Sequence, residues 1–266
     1  MSYRAKKHLG QNFLKSKTVV DKMITTADIS RVEKILEIGP GKGSLTGALL
    51  KTGVYVIAIE KDRDLLPILR EKFKTEISNG KMSLIEEDVL NFDPSKHPIL
   101  STSGYKLVAN IPYYITGEIL QKFLSSKSAP SKAVLLVQKE VAQRIVAKDG
   151  KSSILSISVK AFGEPKLVMN VSKKYFSPAP KVDSAILLID RISKKNFSEI
   201  SEKKFFEIVR AGFSHKRKVL SGNLSQFSTK ESIETFLKEH GHSVSARAEE
   251  LSVNDWVELT KALKFL

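Results

Sequence analysis

Four consecutive residues, Asn110-Ile111-Pro112-Tyr113, combine groups that could act on a weakly nucleophilic amine. The lone pair of an adenine amine is delocalised into the ring, and a catalyst can free it by accepting hydrogen bonds from both N–H groups. Asn110 offers a side-chain carbonyl, Ile111 a backbone carbonyl, and Tyr113 a face for stacking a base, while Pro112 stiffens the turn. Such a site works by positioning and oriented dipoles. By itself, the string also fits an ordinary strand-to-loop turn.

A glycine-rich turn earlier in the chain is typical of a site for a nucleotide-like ligand. The run 35–38 is apolar and predicts a buried strand, and the run 44–50 predicts a helix. Gly39, Gly41 and Gly43 lie between them and lack Cβ atoms, so a ligand can approach the backbone closely. The helix start adds unpaired N–H groups.

Two acids end the next two predicted strands. Ser44 stands where a nicotinamide-binding fingerprint needs its third glycine, which disfavours that cofactor. The run 54–60 ends in Glu60, which can accept hydrogen bonds from both ribose hydroxyls, and the run 82–88 ends in Asp88, which suits an adenine amino group. Three successive strands that each end in a ligand-type residue form a pattern that resembles the S-adenosylmethionine-dependent methyltransferases of the Rossmann-like type. We therefore predict S-adenosyl-L-methionine as the cofactor.

Elements that alternate between strand and helix must position these residues. From residue 32 to about 189, strand-like and helical runs alternate, which predicts βαβ units and a largely parallel sheet. A fourth strand at 105–109 leads into Asn110. Later strands are expected at 132–137, 166–171 and 185–189, the last two as edge strands. The segment that begins at Phe176 contains two prolines and is expected to be an ordered loop.

The hydrophobic pattern changes after Asp190: a polar, linker-like stretch comes first, and the residues beyond it show only helical periodicity. We predict an α/β protein: a Rossmann-like S-adenosylmethionine-dependent methyltransferase fold with a small C-terminal all-helical domain. Residues 1–30 would form a basic N-terminal arm and first helix belonging to the catalytic domain. The methyltransferase domain would span 31–190 and a small helical RNA-binding domain 191–266.

Composition narrows the class of partner. The 266 residues include 44 Lys and Arg against 29 Asp and Glu, and the resulting net charge of +15 favours a polyanion such as nucleic acid. The chain has no cysteine, which excludes disulfides and thiolate metal sites, and its five histidines lack metal-ligand spacing, so no metal site is predicted. It also has no long apolar run or signal core, so we expect a cytoplasmic protein without a membrane span.

The N-terminal arm admits two interpretations. Its basic residues and the Phe13–Leu14 pair fit a solvated arm with an apolar anchor, and local patterns favour that interpretation. The alternative is an arm that folds over the cofactor, with Asn12 and Leu14 touching it while Lys6 and Lys7 meet phosphates.

Six stretches carry a closer resemblance, to the small-subunit ribosomal RNA adenine N6,N6-dimethyltransferase family, over nearly the whole chain. They are His8–Leu14, Glu37–Gly43, Asn110–Ile115, Phe176–Ser184, Phe213–Lys218 and Arg247–Ser252. The family resemblance implies dimethylation of two adjacent adenines in a hairpin loop near the 3′ end of 16S rRNA. The implied partner is the assembling 30S subunit, and the enzyme is expected to be a monomer.

Carried over residue by residue, the resemblance implies roles for specific side chains. With Gly41 added from the glycine-rich turn, the cofactor site comprises Asn12, Leu14, Gly39, Gly41, Glu60, Asp88 and Asn110. Tyr113 and Phe176 would sandwich the target base, although spacing alone favours Phe176 as a core anchor. Contacts to RNA are expected from Lys6, Lys7, Lys216, Arg217 and Lys218. Lys216 stands where the family usually has Arg, and Ser221-Gly222 replaces a more basic pair, which weakens the RNA assignments.

Three alternatives remain. The erythromycin-resistance methylases resemble this catalytic domain and modify one adenine of large-subunit rRNA, but the Tyr114-Ile-Thr and Arg247–Leu251 stretches favour the small-subunit enzyme. A non-catalytic RNA-binding assembly or transcription factor could share the fold, against which the intact Asn110–Tyr113 stretch argues. A small-molecule methyltransferase is disfavoured by the basic charge and the Phe176 loop.

Overall fold

A seven-stranded sheet forms the centre of the computed structural model, which describes residues 3–6, 9–101, 104–147 and 151–263. The strands are β1 (Phe13–Leu14), β2 (Lys34–Ile38), β3 (Tyr55–Glu60), β4 (Met82–Glu86), β5 (Lys106–Asn110), β6 (Lys132–Gln138), β7 (Glu164–Val171), β8 (Phe176–Ser177) and β9 (Ser184–Asp190). Their order in the sheet is β4-β3-β2-β5-β6-β9-β7, while β1 and β8 form a separate antiparallel pair.

Five strands of the sheet, from β4 to β6, run parallel; β9 is antiparallel to β6, and β7 pairs antiparallel with β9. The helices are α1 (Lys17–Ala27), α2 (Ser44–Lys51), α3 (Leu65–Lys72), α4 (Lys74–Ser78), α5 (Thr116–Ser125), α6 (Lys139–Ile145), α7 (Ile154–Lys160), α8 (Glu202–Gly212), α9 (Leu220–Asn223), α10 (Lys230–Glu239) and α11 (Val253–Ala262). The predicted α/β class with C-terminal helices is confirmed. Because parallel strands end at one edge, the residues after β2, β3, β4 and β5 lie along the same edge.

One strand prediction was wrong. The run 185–189 was expected at the edge of the sheet, but β9 lies between β6 and β7, so only β7 is at that edge. Ala185, Ile186 and Leu187 are fully buried, as an unbroken apolar run in an interior strand should be. The loop around Phe176 is indeed ordered, and its first two residues pair with the N-terminal arm.

The chain divides into two compact units. The first contains residues 1–143 and 163–193, and the second contains residues 144–162 and 194–266. The segment 144–162 therefore groups with the helices instead of with the sheet, unlike in the predicted division. The reason is that Ile157 and Ala161 belong to the same apolar cluster as Phe205 and Trp256.

Each unit has its own core. In the first, side chains of α1, α2 and α3 share one apolar cluster with strand residues, and Met23, Leu49 and Leu69 are fully buried. In the second, Trp256 of α11 is fully buried, and Ser252 caps that helix in a reciprocal pair with Asp255. Within the described residues, no helix has the length and apolar character needed to cross a bilayer.

Candidate active site

A cleft opens at the carboxyl edge of the parallel strands in the first unit. It holds about 890 Å³ of space, including the part open to solvent. Its walls come from the arm, the glycine turn and the segments after β3, β4 and β5, and they include Asn12, Gly39, Gly41, Glu60, Asp88, Asn110, Ile111, Pro112 and Tyr113. Residues that are far apart in sequence thus share one concave site.

The glycine turn joins β2 to α2 with three residues in the left-handed region. Gly39 donates its backbone N–H to the carbonyl of Ile59 on β3 at 2.9 Å, and a Cβ atom at Gly39 would meet nothing within 4 Å. At Gly41, φ is 58° and a Cβ atom would come within 2.9 Å of the Phe13 ring. Any other residue at position 41 would push the arm away, so this glycine is required for the arm to cover the turn.

Glu60 ends β3 and is held by the backbone on two sides. Its Oε1 accepts from the N–H of Asp62 at 2.8 Å, and its Oε2 accepts from the N–H of Gly41 at 3.3 Å. The residue is 6% exposed, and burial raises the pKa of its carboxyl group. Each oxygen retains a lone pair, so an oriented carboxylate faces the cleft and can accept from ligand hydroxyls.

Asp88 lies two residues beyond β4 and carries an ion pair. Its Oδ2 contacts the ammonium of Lys61 at 2.6 Å, and its Oδ1 accepts from the N–H of Leu90 at 3.0 Å. The hydrogen bond from Lys61 lowers the pKa of Asp88. Lys61 is a cleft residue that the sequence patterns do not reveal, because nothing local to it points to Asp88 as its partner.

Asn110 ends β5 and lines the cleft. Its side-chain NH2 donates to the backbone carbonyl of Asn12 in the arm at 3.0 Å. The following Ile111 is 2% exposed, and Pro112 leads into a short 3-10 turn over Tyr113–Ile115. One N–H of the amide is used by the arm, and Oδ1 is the atom of this side chain that can accept a hydrogen bond from a ligand.

Tyr113 is half-buried beside Asn110. Its hydroxyl and that of Ser184 are hydrogen-bonded at 2.6 Å, and burial raises the pKa of the phenol. Ser184 is fully buried at the start of β9. The ring of Tyr113 is thus anchored at its polar end, as a fixed stacking face requires.

Two predicted site residues lie elsewhere. Among the described residues that line the cleft, neither Leu14 nor Phe176 appears. The two are paired across β1 and β8, are 6% and 2% exposed, and belong to the core of the first unit. In this structure Phe176 is a core anchor, which agrees with the interpretation favoured by its spacing.

Lys6 contacts carboxylates instead of offering a free cation. Its ammonium lies 2.6 Å from Oδ1 of Asp62 and 2.7 Å from Oδ2 of Asp64, and these contacts raise its pKa. Tyr3 and Gln11 also donate to Asp62. Lys7, the other cation predicted in the arm, lies outside the described residues.

Asp62 is therefore the residue that ties the arm to the segment after β3. Its side chain is fully buried. Burial works against ionisation, but the hydrogen bonds from Lys6, Tyr3 and Gln11 prevail and lower its pKa to about 2. The carboxylate stays charged and holds the arm beside Glu60, which lies two residues away.

Glu37 is a second buried acid, located on β2 below the glycine turn. It is 1% exposed, and burial raises its pKa to about 8. Its Oε2 has no hydrogen-bond partner among the described residues. This group contributes no exposed contact to the cleft, but it makes the stability of the turn depend on pH.

The second unit carries the remaining predicted cations. Lys216, Arg217 and Lys218 are exposed in the turn between α8 and α9. Lys216 and Lys218 line a separate cleft in this unit together with Arg144, His215 and Ser152. Three neighbouring cations beside a basic cleft are the arrangement that a phosphate backbone prefers.

Comparison with known proteins connects this geometry to one family. The model of the family described as ribosomal RNA adenine dimethylase matches residues 2–264. The chain is 42% identical over 259 residues to a ribosomal RNA small subunit methyltransferase A of Dehalococcoides mccartyi strain CBDB1, covering 96% of this chain and 87% of the relative. It is 38% identical to a protein of the same name from Fusobacterium nucleatum, with 98% of each chain covered.

Two solved structures are similar over most of the chain. The 23S rRNA methyltransferase ErmE has a TM-score of 0.77 at 25% identity and covers 95% of this chain and 99% of its own. A dimethyladenosine transferase from Plasmodium falciparum has a TM-score of 0.75 at 27% identity, with 93% and 95% covered.

Proposed function

We propose a specific substrate for this chain, which belongs to the ribosomal RNA adenine dimethylase family. It is an S-adenosylmethionine-dependent rRNA adenine dimethyltransferase. The proposed substrate is a pair of adjacent adenines in a hairpin loop near the 3′ end of 16S rRNA, each receiving two methyl groups on N6 while the 30S subunit is being assembled. The names of the relatives at 38–42% identity support the small subunit.

The hydrogen bond from Asn110 to the carbonyl of Asn12 is the observation that carries the proposed methyl-transfer chemistry. It directs the amide so that Oδ1 can accept from the target amine, and the backbone carbonyl of Ile111 supplies the second acceptor. Both contacts favour the developing tetrahedral nitrogen over the planar amine, so they act mainly in the transition state. When bound, S-adenosylmethionine would supply the methyl group from its positively charged sulfur. At each transfer the sulfur–methyl bond would break as the amine nitrogen–methyl bond forms, S-adenosylhomocysteine would leave, and the amine would lose one proton to solvent.

The residues present fit the cofactor. Gly39 leaves open space beside the backbone, and we assign the ribose hydroxyls to Glu60 and the adenine amino group to Asp88. Asn12 borders the same cleft from the arm. Leu14 would contribute only by anchoring the arm, since its side chain is in the core.

For the target base, Tyr113 provides the stacking face. Its hydroxyl is fixed to Ser184, so the ring can hold an adenine beside Asn110. The second face implied for Phe176 would require that ring to leave the core, where it is 2% exposed. We therefore assign the base contact to Tyr113 and an anchoring role to Phe176.

RNA contact outside the cleft is assigned to the exposed turn with Lys216, Arg217 and Lys218. We propose that the helical residues from about 191 onward, together with α7, serve RNA binding, whereas residues 1–30 and the sheet serve catalysis. The net charge of +15 supports a polyanionic partner. We further propose a monomeric enzyme that works in the cytoplasm, where small subunits would be assembled.

A second candidate function is methylation of one adenine in large-subunit rRNA. The similarity to ErmE, at a TM-score of 0.77, favours it as the alternative. Mass spectrometry of both rRNAs from cells with and without this gene separates the two. We expect the dimethylated adenines to disappear from 16S rRNA. Loss of a methyl group from 23S rRNA alone would overturn the small-subunit assignment.

A further inference from the structure

One aromatic ring at the mouth of the cleft has no role in the chemistry described so far. Tyr114 lines the cleft and is 59% exposed. Among the described residues, the other tyrosine with comparable exposure is Tyr175, at 38%, which lies outside the cleft. A large ring left in solvent at the entrance of an active site is an unusual use of apolar surface and fits a contact surface.

The local backbone fixes the direction of this ring. Tyr113 and Ile115 flank it in the same 3-10 turn, and both are anchored: Tyr113 through Ser184, and Ile115 by burial to 7% exposure. Successive residues of a 3-10 turn point in different directions. With its two neighbours turned inward, Tyr114 is left facing outward.

The N-terminal arm supports one edge of the ring. Gly10 has φ of 63°, and a Cβ atom there would lie 3.2 Å from two ring carbons of Tyr114. Glycine therefore lets the arm approach the ring closely. The same arm contacts Asn110 through Asn12, so one segment positions both the Tyr114 ring and the Asn110 amide.

A cation accompanies the ring. Lys61 lines the same cleft as Tyr114, and its ammonium lies 2.6 Å from Oδ2 of Asp88. An aromatic face beside a cation is the combination by which proteins hold single-stranded nucleotides.

We propose that Tyr114 is the stacking platform for the nucleotide that flanks the target adenine. Extruding an adenine into the cleft removes the stacking partner of its neighbour, and a ring at the mouth can replace that partner. Because the proposed substrate has two adjacent adenines, each would occupy the platform while the other is methylated. This inference rests on the proposed function.

The test uses the full-length enzyme and unmethylated small subunits from cells that lack the gene. Tyr114→Leu keeps the apolar contact with Gly10 but removes the aromatic face, whereas Tyr114→Phe keeps the face. We expect kcat/KM for the subunit to fall roughly 5- to 100-fold in the Leu variant, the range for removing one stacked base, and to stay near wild type in the Phe variant. Tyr175→Leu is the matched control, since it removes an exposed tyrosine away from the cleft.

A second measurement separates stacking from mere support of the arm. Calorimetry should give unchanged S-adenosylmethionine affinity for Tyr114→Leu, because the arm stays closed. Replacing the second adenine of the subunit by uridine should slow methylation of the first adenine by the wild-type enzyme, because a pyrimidine stacks weakly. The same replacement should slow the Tyr114→Leu variant much less.

The outcomes are distinguishable. Wild type that methylates only large subunits would overturn the proposed function itself. If wild type is active on small subunits and Tyr114→Leu has an unchanged kcat/KM, the stacking role of Tyr114 is overturned. The same holds if Tyr114→Leu instead has a weakened affinity for the cofactor.

Discussion

The side-chain NH2 of Asn110 donates to the backbone carbonyl of Asn12 at 3.0 Å, joining the end of β5 to the N-terminal arm. The two residues are almost a hundred positions apart in the chain. Through this contact, the arm beside the cleft orients the amide to which we assign the catalytic role.

The first prediction concerns that amide. Asn110→Ala removes the acceptor, and Asn110→Asp keeps an acceptor but cannot donate to Asn12, so the side chain loses its orientation. We expect both to lower turnover at saturating cofactor by roughly 100-fold or more, as for other oriented dipoles in active sites. Single-turnover assays on small subunits measure this, and sedimentation with subunits checks that the folded variants still bind. Turnover within tenfold of wild type would contradict the proposed mechanism.

The second prediction concerns Glu60. Glu60→Ala removes the carboxylate assigned to the ribose, and we expect S-adenosylmethionine binding to weaken by about 1–3 kcal/mol. Glu60→Gln, which keeps the size and one acceptor, should weaken binding less. Isothermal calorimetry on folded variants decides, and unchanged affinity in Glu60→Ala would mean that the ribose is held by another group.

The third prediction concerns Lys6. Because its ammonium is paired with Asp62 and Asp64, Lys6→Gln should loosen the arm, raising hydrogen exchange in residues 9–13 and the KM for the cofactor. Lys17→Gln breaks an exposed pair with Asp21 and is the control, expected to change neither.

The salt dependence of subunit binding tests the same lysine independently. If Lys6 serves the arm, the log–log slope stays as in wild type. A slope reduced by about 0.7–0.9 in Lys6→Gln would instead indicate a phosphate contact.

The fourth prediction is a pH dependence that arises from Glu37. Its pKa rises from an ordinary 4.5 to about 8 in the folded protein. Between these values the folded state holds the proton more tightly than the unfolded state, so the free energy of unfolding should fall as pH rises from about 4.5 to 8.

Glu37→Gln imitates the protonated acid and should remove this part of the decline, on the order of a few kcal/mol. Urea titrations at pH 5 and pH 8 measure it. Asp62 does not interfere, because its pKa is lowered and its contribution disappears only in more acidic solution. Identical pH profiles for the variant and wild type would show that the carboxyl group ionises normally.

The fifth prediction concerns the exposed turn of the second unit. Replacing Lys216, Arg217 and Lys218 together by Gln should weaken subunit binding and reduce the log–log salt slope by about 0.7–0.9 for each phosphate that is no longer neutralised. Cofactor affinity should not change, since the cofactor cleft lies in the first unit. Lys203→Gln with Lys238→Gln removes exposed cations elsewhere in that unit and serves as the control. Equal salt slopes for the triple variant and the control would show that the turn is an ordinary solvated surface that does not contact RNA phosphates.

The sequence alone was sufficient for the parallel strands and for the edge where the site lies, although it misplaced β9 in the sheet. Apolar runs that end in Gly39, Glu60 and Asn110 predicted parallel strands, and parallel strands must bring these ends to a common edge. The structure accordingly has all three residues lining one cleft. Local patterns were enough there because the periodicity of each strand, together with the βαβ order, determines which end faces the cleft.

Only the tertiary structure decided which side chains have partners and which are buried. A phosphate contact was one interpretation of Lys6, but Asp62 and Asp64, far away in the chain, neutralise its charge. The family resemblance implied a stacking role for Phe176, but pairing of β8 with β1 buries its ring. Segment 144–162 looked like part of the sheet domain, but it shares the core of the helical unit. Each of these outcomes depends on contacts between residues distant in sequence, and such contacts leave no trace in local composition or spacing.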